Sequence, residues 1–182
     1  LLSYDRAVVK VALDQVAAAN QGRVPRLLVV EPTSQEKGIP WRYQLAAPPD
    51  GWQKPGFDDS LWKQGPGGFG APKTPGAVVR TEWRSNEIWL RRTFELAKVP
   101  EGEICLSIHH DEDVEVYLNG RPAATAAGYT TAYEELPISA EARSSLKPGK
   151  NLIAIRCRQT TGGQYIDAGL VRLAPPADNA KP

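Results

Sequence analysis

Methionine is missing from this 182-residue chain, and cysteine and histidine occur only twice each. A chain without methionine lacks its own initiating residue and is expected to be a processed or excised piece. Two cysteines are too few for a disulfide framework, and parity argues against even one bridge. Cys105 leaves its strand opposite to Ile104, Leu106 and Ile108, whereas Cys157 shares a face with Ile153 and Ile155, so the thiols leave opposite sides of a sheet. No apolar run approaches the roughly 18–20 residues of a membrane-spanning helix. Neither sign of charge prevails, with 22 Lys and Arg against 21 Asp and Glu. So weak a net field does not draw nucleic acid or an anionic membrane, and neither is expected as a partner. Catalytic signatures are missing too: there is no GxSxG and no HExxH. Gly65, Gly67 and Gly70 spell GxGxxG, but a dinucleotide fingerprint opens a helix, which Pro72 and Pro75 forbid.

What is present suits β-structure. Sixteen glycines, sixteen prolines and five tryptophans indicate many turns around short strands. In EICLSIHHDEDVEVYLNG, Glu103 to Gly120, apolar residues alternate over Ile104 to His109 and again over Val114 to Leu118, and Asn119-Gly120 supplies the positive φ of a type I′ hairpin turn. Similar alternation predicts strands over Ile88 to Leu96, Ala123 to Ala127, Thr130 to Leu136, Asn151 to Gln159 and Gln164 to Leu173, with Trp41-Arg42-Tyr43 opening an earlier one. Arg92 falls on the apolar face of its strand and is expected to find a carboxylate. In FDDSLW, Asp58, Asp59 and Ser60 can cap a single helical turn while Phe57, Leu61 and Trp62 turn inward. Ser139 caps a short helix that Pro148-Gly149 ends. Outside this pattern, residues 3–20 are alanine-rich at helical spacing and predict a helix. VPRLLVVEP reads as a strand, and PPADNAKP as a linker. The expected division is an N-terminal extension over 1–30, a sandwich over 31–174 and a tail over 175–182.

The segments FDDSLW, IWLRRTFEL, VEVYLNG, Gly128-Tyr129 and KPGKNLIAIRCR resemble the sugar-binding jelly-roll domain of family 2 glycoside hydrolases and its galactose-binding-like relatives. The resemblance runs from about Trp41 to Leu173. It implies an all-β, galactose-binding-like jelly-roll sandwich with an N-terminal helical extension. It also implies an extracellular or periplasmic parent protein whose other domains are partners, and a carbohydrate ligand. HHDED and RQTTGGQYID are not standard in that domain, which points to a distinct subgroup.

Antiparallel strands that alternate in direction place every second connection at one end. Counting puts Trp83 to Glu87, His110 to Asp113, Gly128 with Tyr129, and Gln159 to Gln164 on a common rim. A sugar needs an apolar plate for its C–H face and fixed polar partners for its hydroxyls. The rim candidates are Trp83, His110, Asp111, Asp113, Tyr129, Arg158, Gln159, Gln164 and Tyr165. His109 and His110 point to opposite faces and cannot share a zinc without a bend. Calcium on the carboxylates is the better-matched metal, and the plain alternative is a solvated turn paired with Arg156, Arg158 or Arg84. No cofactor is expected. A glycosidase needs two carboxylates facing across a cleft, about 5–9 Å apart, and neither the short Asp111–Asp113 loop nor Glu134-Glu135 supplies one. The chain alone is thus expected to be a non-catalytic carbohydrate-binding or accessory domain of a larger glycoside hydrolase-like protein. The alternative is a structural or protein-docking module without sugar affinity.

Overall fold

A computed structural model describes residues 26–174. The helix expected over 3–20 and the linker-like tail over 175–182 lie outside the described residues. Within them the chain forms β1 (Arg26–Glu31), β2 (Pro40–Gln44), β3 (Lys63–Pro66), β4 (Phe69–Gly70), β5 (Thr81–Glu82), β6 (Glu87–Leu96), β7 (Glu103–Asp111), β8 (Asp113–Leu118), β9 (Arg121–Ala126) and β10 (Glu134–Pro137). A single turn and a half of helix, α1 (Ala140–Ser145), precedes β11 (Gly149–Arg158) and β12 (Tyr165–Ala174).

Two sheets result, an all-β sandwich. One has the order β10-β7-β12-β4-β5, with β1 also paired to β12, and the other the order β3-β2-β6-β11-β8-β9. All pairings are antiparallel except the two-residue contact of β4 with β5. The alternation in the sequence explains the register. β11 sets Ile153, Ile155 and Cys157 against Leu118, Val116 and Val114 of β8, and pairs its other edge with Arg92, Leu90 and Ile88 of β6. Ile104, Leu106 and Ile108 of β7 meet Ile166, Ala168 and Leu170 of β12 on the facing side of the other sheet, and these rows close into one core. Each such side chain contributes about 1.5–3 kcal/mol by leaving water. β1 is a member of the first sheet, with Leu28 opposite Arg172 and Val29 opposite Val171, so the sandwich includes residues 26–30 that the expected boundary at 31 set apart.

Arg92 lies on the inner face, its guanidinium 4.6 Å from the Trp41 ring and 3.5 Å from a Glu31 carboxylate oxygen. The neighbouring Arg91 points outward but is equally buried. It pins residues 52–59 across the outer face, donating to the carbonyls of Trp52, Lys54 and Phe57 and pairing with Asp59 at 2.7 Å. FDDSLW makes the one expected turn, Trp62 N–H donating to Asp59 O at 3.0 Å, but Leu61 does not turn inward. Asp58 accepts from the Ser60 amide, Asp59 is spent on arginines, Trp62 is buried and Leu61 is 97% exposed. The strand expected from Thr130 shortens to β10, because Thr130 to Tyr133 turn over the rim instead.

At the closed end, Asn119 and Gly120 adopt positive φ, 49° and 84°. The Asn119 side chain donates to Ser145 O and Asn151 Oδ1 and accepts from the Leu152 amide, tying β8, α1 and β11 together. Ser139 caps α1 through the Ala142 amide.

Candidate functional site

The opposite end is the open one. Its loops are fastened to one another: Thr130 N–H donates to His110 O at 2.8 Å, Gln159 N–H to Asn86 O at 2.7 Å, and Gln164 Nε2 to Ser85 O at 2.7 Å. Thr74 joins a further loop to this rim, since its hydroxyl accepts from the Gln164 amide at 3.0 Å. Parity of the strands is the cause, because each of these connections follows a strand running toward that end. The histidine-acid corner and the diglycine corner thus meet, with Thr160 and Thr161 hydroxyls both donating to the Glu112 carboxylate.

Between them lies a cavity of about 290 Å³, near the lower end, about 300 Å³, of small-molecule pockets. Asp111 and Glu112 form one wall, Tyr129, Thr130 and Thr131 a second, and Thr161, Gly162 and Gly163 a third, with Pro75 at the edge. The peptide bond between Asp111 and Glu112 is cis. Asp111 ends β7 on the outward side, pairs in register with Tyr165 and forms an isolated bridge with Tyr129. It is 6% exposed, yet its carboxylate takes no hydrogen bond or ion pair among the described residues. Burial first, and the neighbouring Glu112 second, hold its carboxyl above the usual Asp range, with His110 opposing them. Gly163 packs so closely that a Cβ there would sit 2.2 Å from Asp111 Oδ2. Tyr129 is 62% exposed and offers its ring to solvent beside these oxygens.

Of the candidates read from the sequence, only Asp111 and Tyr129 line this cavity. Asp113 accepts from Arg158 Nη2 at 2.7 Å and from the Gly128 amide, and both bonds hold its carboxyl below the usual range. Arg158 and Asp113 therefore brace the rim as a pair. His110 supports the turn, its Nδ1–H donating to Glu112 O at 2.5 Å. Gln159 and Gln164 hold neighbouring loops. Trp83 and Tyr165 depart furthest from the expectation, since both are fully buried. The Trp83 indole belongs to the core and its N–H is taken by Ser85 Oγ and Glu87 O. Tyr165 lies under the loop at 74–78, hydrogen-bonding Val78 O and stacking 4.6 Å from His109. Pro75, Glu112, Thr130, Thr131, Thr161, Gly162 and Gly163 are the wall residues that sequence reasoning passed over. The run Thr160 to Gly163, short side chains between two long strands, was the available signal for part of them.

Of the arginines expected to neutralise the acidic turn, Arg158 does so. Arg156 instead bridges Glu87 and Glu115, and Arg84 pairs with Glu82. Among the described residues, no three His, Cys, Asp or Glu side chains are grouped to hold a metal ion.

Comparison with solved structures agrees with the strand arrangement. A glycosyl hydrolase family 2 member from Bacteroides cellulosilyticus superposes with a TM-score of 0.52 and 19% identity, over 77% of this chain and 20% of that one. This sandwich resembles a domain of family 2 glycoside hydrolases. A β-glucuronidase from Ruminococcus gnavus in complex with D-glucuronic acid gives 0.52 at 12% identity, over 82% of this chain and 29% of that one. A Bifidobacterium dentium β-glucuronidase gives 0.50 at 15%, over 76% and 21%. The chain thus spans between a fifth and a third of the length of these proteins. No family model matches the sequence, and comparison with curated proteins gives no match.

Proposed function

We propose that this sandwich is a non-catalytic carbohydrate-binding domain of a larger, secreted glycoside hydrolase-like protein, and that the sugar sits in the rim cavity. The observation that carries the reading is the meeting of an exposed phenol, Tyr129, with a buried but unengaged carboxylate, Asp111, across a cavity about the size of one sugar ring. A ring C–H face would rest on the phenol, and vicinal hydroxyls would donate to Asp111. The Thr131 hydroxyl of the second wall supplies a further partner of either polarity. The likeness to a domain that occupies a small part of family 2 enzymes supports the accessory role. It also supports an extracellular or periplasmic setting, and no helix among the described residues is long and apolar enough to cross a membrane.

Glycan-array binding of the 182-residue chain tests the reading, with Tyr129→Ala and Asp111→Asn as controls. Binding that both substitutions weaken at least tenfold is the expected result, and binding indifferent to both would refute it. One observation favours docking at a second place. Leu27 and Val29 on β1 are 47% and 70% exposed, next to Val171 and Leu173 of β12, and this apolar strip suits contact with another domain of the parent. Docking there and sugar binding at the rim use different ends of the sheet.

A further inference from the structure

We infer that the rim cavity accepts an uncharged sugar and rejects uronic acids and other anionic sugars. The inference rests on the reading of the cavity as a carbohydrate site and adds the charge of the ligand. Its basis is the balance of charge at the wall. Asp111 and Glu112 both line the cavity, and among the described residues no lysine, arginine or histidine does. The guanidinium paired with the acidic turn is already committed, Arg158 to Asp113 at 2.7 Å. Recognition of a sugar carboxylate ordinarily uses a free arginine fork or a set of backbone amides aimed at the anion. No arginine lines this wall among the described residues.

Asp111 is the decisive group, because an acidic turn alone would say nothing about a ligand. Its side chain is 6% exposed and borders the cavity without a hydrogen-bond or ion-pair partner among the described residues. A buried carboxylate is costly unless donors reach it. Sugar hydroxyls are such donors, and they bring no charge of their own. Gly163 backs this carboxylate closely, since a Cβ there would sit 2.2 Å from Oδ2, and the side of Asp111 left open is the cavity. The Glu112 carboxylate accepts from Thr160 and Thr161 and lines the same cavity. A uronate in the same cavity would face two like charges, an arrangement that discriminates strongly between partners.

The test is calorimetric or NMR titration of the 182-residue chain with methyl β-D-glucopyranoside, methyl β-D-galactopyranoside and methyl β-D-xylopyranoside, each against methyl β-D-glucuronide. At least one neutral glycoside should bind about tenfold or more tightly than the glucuronide, roughly 1.4 kcal/mol. In the Asp111→Asn, Glu112→Gln double variant, with an unchanged unfolding midpoint, that ratio should fall below about threefold, since the wall keeps its shape and loses its charge. A midpoint that drops shifts the readout to Glu112→Gln alone, which should narrow the ratio by a smaller factor. Equal or tighter binding of the glucuronide by the wild-type chain would overturn the charge selection and leave the carbohydrate site standing. Failure to bind any of the four would overturn the site itself, and the selection with it.

Discussion

Gly163→Ala is the substitution that separates the cavity from the fold. The added Cβ would lie 2.2 Å from Asp111 Oδ2, 3.0 Å from Thr74 Cγ2 and 3.3 Å from Asp111 Cγ. Carbon–oxygen contacts settle at about 3.3–3.6 Å, so the carboxylate must retreat by about 1 Å, and the space open to it is the cavity. Gly163 does not carry a positive φ, so alanine strains no backbone there. The Asp111 carboxylate makes no bond to the described residues that the movement would break, so the loss of stability should be about 1 kcal/mol, the low end for overpacking. Binding should suffer far more. A ligand hydroxyl aimed at the displaced carboxylate would lose a hydrogen bond to a charged group, worth about 1.5–3 kcal/mol, which is a loss of about ten- to 150-fold in affinity. Titration calorimetry with the best neutral glycoside and a thermal melt of the same sample measure both quantities. A Gly163→Ala chain that binds as tightly as the wild type would refute the placement of the sugar against Asp111.

Arg91→Ala should cost about 3–5 kcal/mol, because it leaves the buried-face carbonyls of Trp52, Lys54 and Phe57 without their shared donor and Asp59 with Arg42 alone. For a domain of this size a calorimetric midpoint drop of at least roughly 6 °C follows. Asn119→Ala removes three side-chain bonds and a residue suited to positive φ, so urea denaturation should show a loss of about 2–3 kcal/mol. The Asp167 carboxyl is held above its usual pKa by burial, with Tyr133, the Ser34 amide and Arg92 opposing. A raised acid favours the folded state fully below the unfolded pKa and loses that favour as pH rises through the folded value. Melts of Asp167→Asn against wild type at successive pH values should therefore show the variant gaining relative stability from acid toward neutral pH, and a difference that stays flat would refute the assignment.

The strands and their faces were legible because a period of two is a local property. Ile104, Leu106 and Ile108, or Ile153, Ile155 and Cys157, alternate strictly and lie in the core together. The turn at Asn119-Gly120 followed from local chemistry, and Arg92 found Glu31 as a buried charge on an apolar face must. The candidate site was less legible. Alternation tells which side chains leave the inner face, and says nothing about whether a loop then covers the outer one. Tyr165 and Gln164 were read as rim groups and are buried, since the segment from Thr74 to Val78 folds over them. Trp83 was assigned to a polar loop, but its ring fills the core. Leu61 reads as an inward residue from its neighbours and stands exposed, in a turn whose Asp59 and Ser60 carbonyls are held by Arg42.

By itself the sequence determined an all-β sandwich, the inward faces of its long strands and the meeting of the acidic and diglycine corners at one end, since all three follow from alternation and strand parity. Only the tertiary structure decided which rim side chains face a cavity. That depends on contacts between residues far apart in the chain: Gly163 against Asp111, Thr74 against Gln164, and Thr160 and Thr161 against Glu112. Steric contact across such separations leaves no periodic trace in the order of the residues.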